Sequence, residues 1–242
     1  MVICYFITLS IIALYRNKIN VKVGNLIFII VDLVFFFVWN YANYQVGWLE
    51  DGFMTLENIS PFIFTIMPLT YFMNDKTKSF CMPAIAFLHL GMFLAMIISP
   101  GHSYLFTFRE KANLLYAGET ACHLIASLFG IYLIITKQVK ADFKNWIKSV
   151  VFMYSVIGFG VFLNYCFHMR CFFMDPYGNY SIYMLDIFGT FEATLIAYLL
   201  GVLCVLTIGM QSGALFNKIL DNISPHPREP RKKRCEDRSE TE

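Results

Sequence analysis

Residues 23–42 read VGNLIFIIVDLVFFFVWNYA, twenty residues in which Asp32 is the lone charge. Coiled as an α-helix at 1.5 Å per residue, the stretch is about 30 Å long, the thickness of a bilayer's hydrocarbon core. It is apolar on every side, whereas a surface helix of a soluble domain carries one apolar stripe. The rest of the chain repeats this texture. Of 242 residues, 57% are hydrophobic and only 15% are charged, against about 25% charged in an ordinary soluble domain. The fold expected is therefore all-α: a polytopic membrane bundle of helices.

Seven spans are expected, over about 2–15, 23–42, 59–73, 80–99, 113–136, 149–169 and 184–209. The first is apolar but short. It lacks a basic region before it and a small-residue cleavage site after it, so it is read as a first helix, complete or clipped, rather than as a signal peptide. Residues 1–210 then form one membrane domain, and 211–242 form a tail that is cytoplasmic and disordered from about 224.

The basic residues orient this layout. With the amino terminus outside and the carboxyl terminus inside, the inner segments hold 16 Lys and Arg. The outer loops hold 3, namely Arg109, Lys111 and Arg170. That separation is what the positive-inside rule demands, and it places the chain in the cell membrane as a multi-pass protein. Six helices with a re-entrant first segment is the structural alternative. No internal repeat suggests an inverted-repeat transporter.

The 7 cysteines include no CxxC pair and sit mostly in apolar runs. They read as small buried hydrophobes, not as a disulfide framework or a zinc site. The run Arg231-Lys232-Lys233-Arg234 reads as a topology determinant that meets anionic lipid. It is too short to suggest nucleic-acid binding.

Ionisable groups at membrane depth are expensive and mark sites by default. They are Asp32, His89, Glu119, His123, Asp186 and Glu192, joined by the polar Thr65 and Asn164. The layout puts Thr65, His123, Asn164 and Asp186 in the outer half of the bilayer. Glu119 and His123 are spaced i, i+4 and share a helix face. Each also has a plain reading. A membrane Thr bonds back to its own i−4 carbonyl, a membrane His is commonly an interhelical hydrogen-bond partner, and Asp32 and His89 pair with each other or with neighbouring helices.

Four stretches resemble the YwaF-like family of bacterial integral membrane proteins, distantly and over roughly residues 20–210. Ser60-Pro61-Phe62-Ile63-Phe64-Thr65 resembles a Leu-Pro-Leu-His-Leu-Cys stretch whose Cys is the acyl-accepting nucleophile. His123-Leu124-Ile125 and the apolar run to Ile135 resemble the family's histidine helix. Leu163-Asn164-Tyr165 resembles its Asn-containing sixth helix, and Leu185-Asp186-Ile187-Phe188-Gly189 its Asp-x-x-Gly start to the last one. The family is similar to a eukaryotic ether-phospholipid acyltransferase and to androgen-induced hydrolases of fatty acid esters, which pair Thr with His. The departures are Thr65 for Cys, Ile63 for a polar residue, and Thr190-Phe191-Glu192 for an aromatic-Pro pattern. They bear on substrate and on activity.

The resemblance implies hydrolysis or transfer of a lipid acyl ester, without cofactor or metal. Thr65 would be the nucleophile and His123 the base that takes its proton. Glu119 would fix the imidazole tautomer through a side-chain bend or a water. Asn164 would donate to the oxyanion, with Asp186 supporting. The partner expected is membrane lipid or an acyl chain. One rival is a non-enzymatic carrier or sensor that uses the same polar pocket. Another is a zinc-dependent lipid amidase, which needs about three converging His or carboxylate ligands.

Overall fold

The computed structural model describes residues 2–45, 59–98, 114–169, 171–173 and 189–223. Among them are seven α-helices and no strand: α1 (Val2–Tyr15), α2 (Val21–Gln45), α3 (Ile59–Leu69), α4 (Asp75–Ile98), α5 (Leu114–Ile135), α6 (Phe143–Phe167) and α7 (Phe191–Ile223). A 3-10 turn, Cys171–Phe173, follows α6. Each expected span contains one helix. Five of them, α2, α4, α5, α6 and α7, are long and apolar enough to cross a membrane. The 14 residues of α1 and the 11 of α3 reach only about 21 and 16 Å, short of a full crossing.

The boundaries differ from expectation because polar caps, not hydropathy, set them. The Asn20 side chain accepts from the amides of Lys22 and Val23. Asn74 accepts from Thr77, Asp142 from Asn145 and Thr190 from Ala193. Each satisfies amides that a helix start leaves without a partner. As a result α4 starts at Asp75 instead of about 80, and α6 at Phe143 instead of about 149. The last helix begins only at Phe191, after Gly189 at φ +74°, and runs on to Ile223 instead of about 209. The tail expected from 224 lies outside the described residues.

Helices α4 and α5 form the middle of the bundle, and more than half of each is buried. α7 and α6 pack on α4, α2 packs on α5, and α3 closes a corner between α2 and α5. Closeness between α4 and α7 comes from glycine. A Cβ at Gly209 would strike the Phe87 carbonyl, and one at Gly91 would strike the Val205 carbonyl. Small residues that let backbones touch are the usual glue of membrane helices, where lipid is as apolar as Leu.

Outward faces are apolar throughout. Ile3, Phe6, Ile7 and Leu14 of α1, Ile27, Ile30, Val34 and Phe37 of α2, Phe159 and Phe162 of α6, and Ile196 and Leu200 of α7 are all exposed. Soluble monomers do not present apolar surface on this scale. The helices are those of an integral membrane protein.

Cross-helix bonds fix relative directions. Trp146 Nε1 donates to Thr207 and the Tyr154 hydroxyl donates to the Leu199 carbonyl, so α6 and α7 are antiparallel. The Tyr132 hydroxyl donates to the Val21 carbonyl, and Trp39 lies against Gly118, so α2 and α5 are antiparallel as well. At one end Arg16 donates to the Leu220 carbonyl and pairs with Asp221 at 3.1 Å, and Lys137 pairs with the same carboxylate at 2.9 Å. There too Asn25 donates to Gln138, and Lys148 to the Ser79 carbonyl. Every Lys and Arg among the described residues lies in or beside the segments gathered at this end.

Candidate functional site: a polar cluster inside the bundle

α3 carries Thr65, whose side-chain hydroxyl donates to the Pro61 carbonyl one turn back, at 3.0 Å. A membrane Thr with no better acceptor takes the i−4 oxygen of its own helix. The side chain that α3 turns toward α4 and α5 is the neighbouring Phe64. Its ring is fully buried, stacks on the His89 ring at 5.9 Å and meets the His123 ring edge-on at 5.1 Å. Among the described hydrogen bonds none joins Thr65 to His123.

His123 Nδ1 lies 2.9 Å from the Glu119 carbonyl oxygen. A carbonyl only accepts, so the neutral ring carries its proton on Nδ1 and leaves Nε2 as the basic nitrogen. The Glu119 main-chain carbonyl therefore fixes this tautomer.

Asn164 is completely buried, and its amide clamps one residue. Its nitrogen donates to the Cys171 carbonyl at 3.1 Å, and its oxygen accepts from the Cys171 amide at 2.6 Å. The clamp folds the chain back after α6, through the left-handed His168 and Phe172, and lays Phe172 on Gly160. Asn164 thus has a structural task in the turn after α6. Asp186 lies outside the described residues.

Two residues set aside in the sequence come forward. Asp32, on α2, is 0% exposed and both carboxylate oxygens lack a hydrogen-bond partner. His89, on α4, is 2% exposed and its Nε2 lacks one too. They do not pair with each other, contrary to the simplest expectation for two polar groups at similar depth. Asp32 acts electrostatically on Cys122, as does Glu119, and His123 acts on His89. Asp32 thus lies within reach of Cys122 on α5, the residue before His123, and Phe64 lies between the His89 and His123 imidazoles. The signal for Asp32 was in the sequence, a lone carboxylate at the centre of the most apolar run. Its lack of a partner was not.

Among the described residues no three His, Cys, Asp or Glu side chains converge as a metal set. Comparison with family models, with curated proteins and with solved structures finds no match to this chain.

Proposed function

We propose that the chain is a multi-pass carrier of a small polar solute in the cell membrane, amino terminus outside and carboxyl terminus inside. It works through the polar cluster of Asp32, His89 and His123. The observation that carries this reading is Asp32: a carboxyl wholly buried, without a partner, in the middle of a membrane-length helix. Such a group costs stability and persists where function uses it. The gathering of the described Lys and Arg at one end supports the orientation. The test is reconstitution into phosphatidylcholine vesicles, shrunk in turn with ammonium chloride, alanine, glycerol and potassium acetate and followed by light scattering. Re-swelling faster than empty vesicles for at least one solute, falling to the empty-vesicle rate in Asp32→Asn, is expected. Rates equal to those of empty vesicles for all four would remove the carrier reading.

A second reading is acyl-ester hydrolysis or transfer on a membrane lipid by Thr65 and His123. The Nδ1 bond to Glu119 favours it, because it leaves Nε2 available as a base. Chemistry there requires the Thr65 hydroxyl to turn from the Pro61 carbonyl toward the imidazole. Labelling by a fluorophosphonate probe, lost in both Thr65→Ala and His123→Ala, is the expected sign. Labelling that survives both substitutions would remove this reading.

A further inference from the structure

We propose that Asp32 is a proton-binding site at mid-membrane, which keeps its proton while α2 lies packed on α5 and releases it only when water reaches the carboxyl. The inference deepens the carrier reading and rests on it for its purpose: a carrier loaded at such a site is driven by protons.

Three observations converge. The first is the want of any other neutralising partner. Asp32 is fully buried and neither oxygen receives a hydrogen bond. Every described Lys and Arg is far off at the bundle's end, while Asp32 is the twelfth residue of α2, about 16 Å along its axis. The titratable groups around it are few. Cys122 of α5 lies within electrostatic reach of it; Glu119 and His123 are on that same helix, and His89 is on α4. α3 has no titratable side chain between Ile59 and Leu69. His123 has committed Nδ1–H to the Glu119 carbonyl. A carboxylate left without donors or a counter-ion in an apolar interior neutralises itself by taking a proton.

The second observation is the seal. Four residues before Asp32, Phe28 packs on Phe129 and Tyr132 of α5, at ring separations of 5.3 and 5.0 Å. Four and seven residues after it, Phe36 and Trp39 pack on Phe64, at 6.4 and 6.0 Å. Asp32 therefore lies between two aromatic contacts on one face of α2.

The third is that α2 is an outer helix, held to the bundle along one face. Its outer face is apolar and exposed, with little of the helix buried. It meets α5 closely at Gly24, beneath Tyr132, and at Trp39, over Gly118. Parting at the middle would let water in. The carboxyl O–H bond then breaks, the oxygen keeps the electron pair, and the proton passes to that water.

The experiment is infrared difference spectroscopy on the purified chain in lipid vesicles at neutral pH. The carbonyl stretch of a protonated carboxylic acid is expected in the wild type. It should shift when Asp is labelled with carbon-13 at the carboxyl, and vanish in Asp32→Asn. The label assigns the band to an aspartic acid, and the substitution assigns it to Asp32. Absence of the band, or a band unmoved by the Asp label or still present in Asp32→Asn, would overturn the proposal. The band with no solute flux in vesicles would keep the proton site and remove the carrier; flux without the band would do the reverse.

Discussion

Asn164 bears a polar load out of proportion to its size. The amide and carbonyl of Cys171 are both buried and both answered by the one side chain. Removing it strands a donor and an acceptor, at about 1–3 kcal/mol each. Asn164→Ala is expected to lower stability by about 2–4 kcal/mol, read as a fall in the thermal midpoint in detergent. Thr65 contrasts with it. Its hydroxyl answers a carbonyl of its own helix, a bond that Thr makes and Ala does without. Thr65→Ala should change stability by less than about 1 kcal/mol, so loss of fold would not confuse a labelling result. A large fall in its midpoint would show that the hydroxyl holds more than its own helical turn.

Among the elements, α4 and α7 offer the sharpest contrast, because glycines of the same type meet opposite surroundings. Gly91 and Gly209 face carbonyls of the opposing helix, while Gly158 and Gly201 have no atom near a would-be Cβ. Gly209→Ala should push α7 off α4 and destabilise by more than about 2 kcal/mol, the range of overpacked cores. Gly201→Ala should be neutral or stabilise by up to about 1 kcal/mol, the helix propensity difference. Equal effects would mean that α7 does not lie on α4 as described. These contacts also show what the sequence could carry. Unbroken apolar runs located a helix in every expected span, because a bilayer demands about twenty apolar residues in a row. Helix ends escaped that reading: Asn74 and Asp142 extend α4 and α6 into polar sequence, where hydropathy falls before the helix begins. At the site, Thr65, His123 and Asn164 could be selected as polar groups at depth, but direction was not legible. One residue's step, about 100° round α3, separates Thr65 from Phe64, whose ring meets both imidazoles.

Across the whole molecule, charge is sorted to one end, and Asp221 ties that end together. It receives Arg16, whose side chain is 0% exposed, and Lys137, which is 38% exposed. The two partners are not equal. A half-exposed ion pair contributes little and is screened by salt, so Lys137→Ala should cost less than about 1 kcal/mol. Asp221→Ala also takes a carboxylate from a buried guanidinium. It should cost clearly more, about 1–3 kcal/mol, below the full penalty for a buried pair because Asp221 itself meets solvent. The same end decides orientation. If its Lys and Arg face the cytoplasm, a cysteine placed at Lys140, in the segment between α5 and α6, is shielded in intact cells from a membrane-impermeant thiol reagent. It should react once the membrane is opened, above the background of the unsubstituted chain. Reaction in intact cells would invert the whole bundle, and the acidic side from which Asp32 could load a proton would change with it.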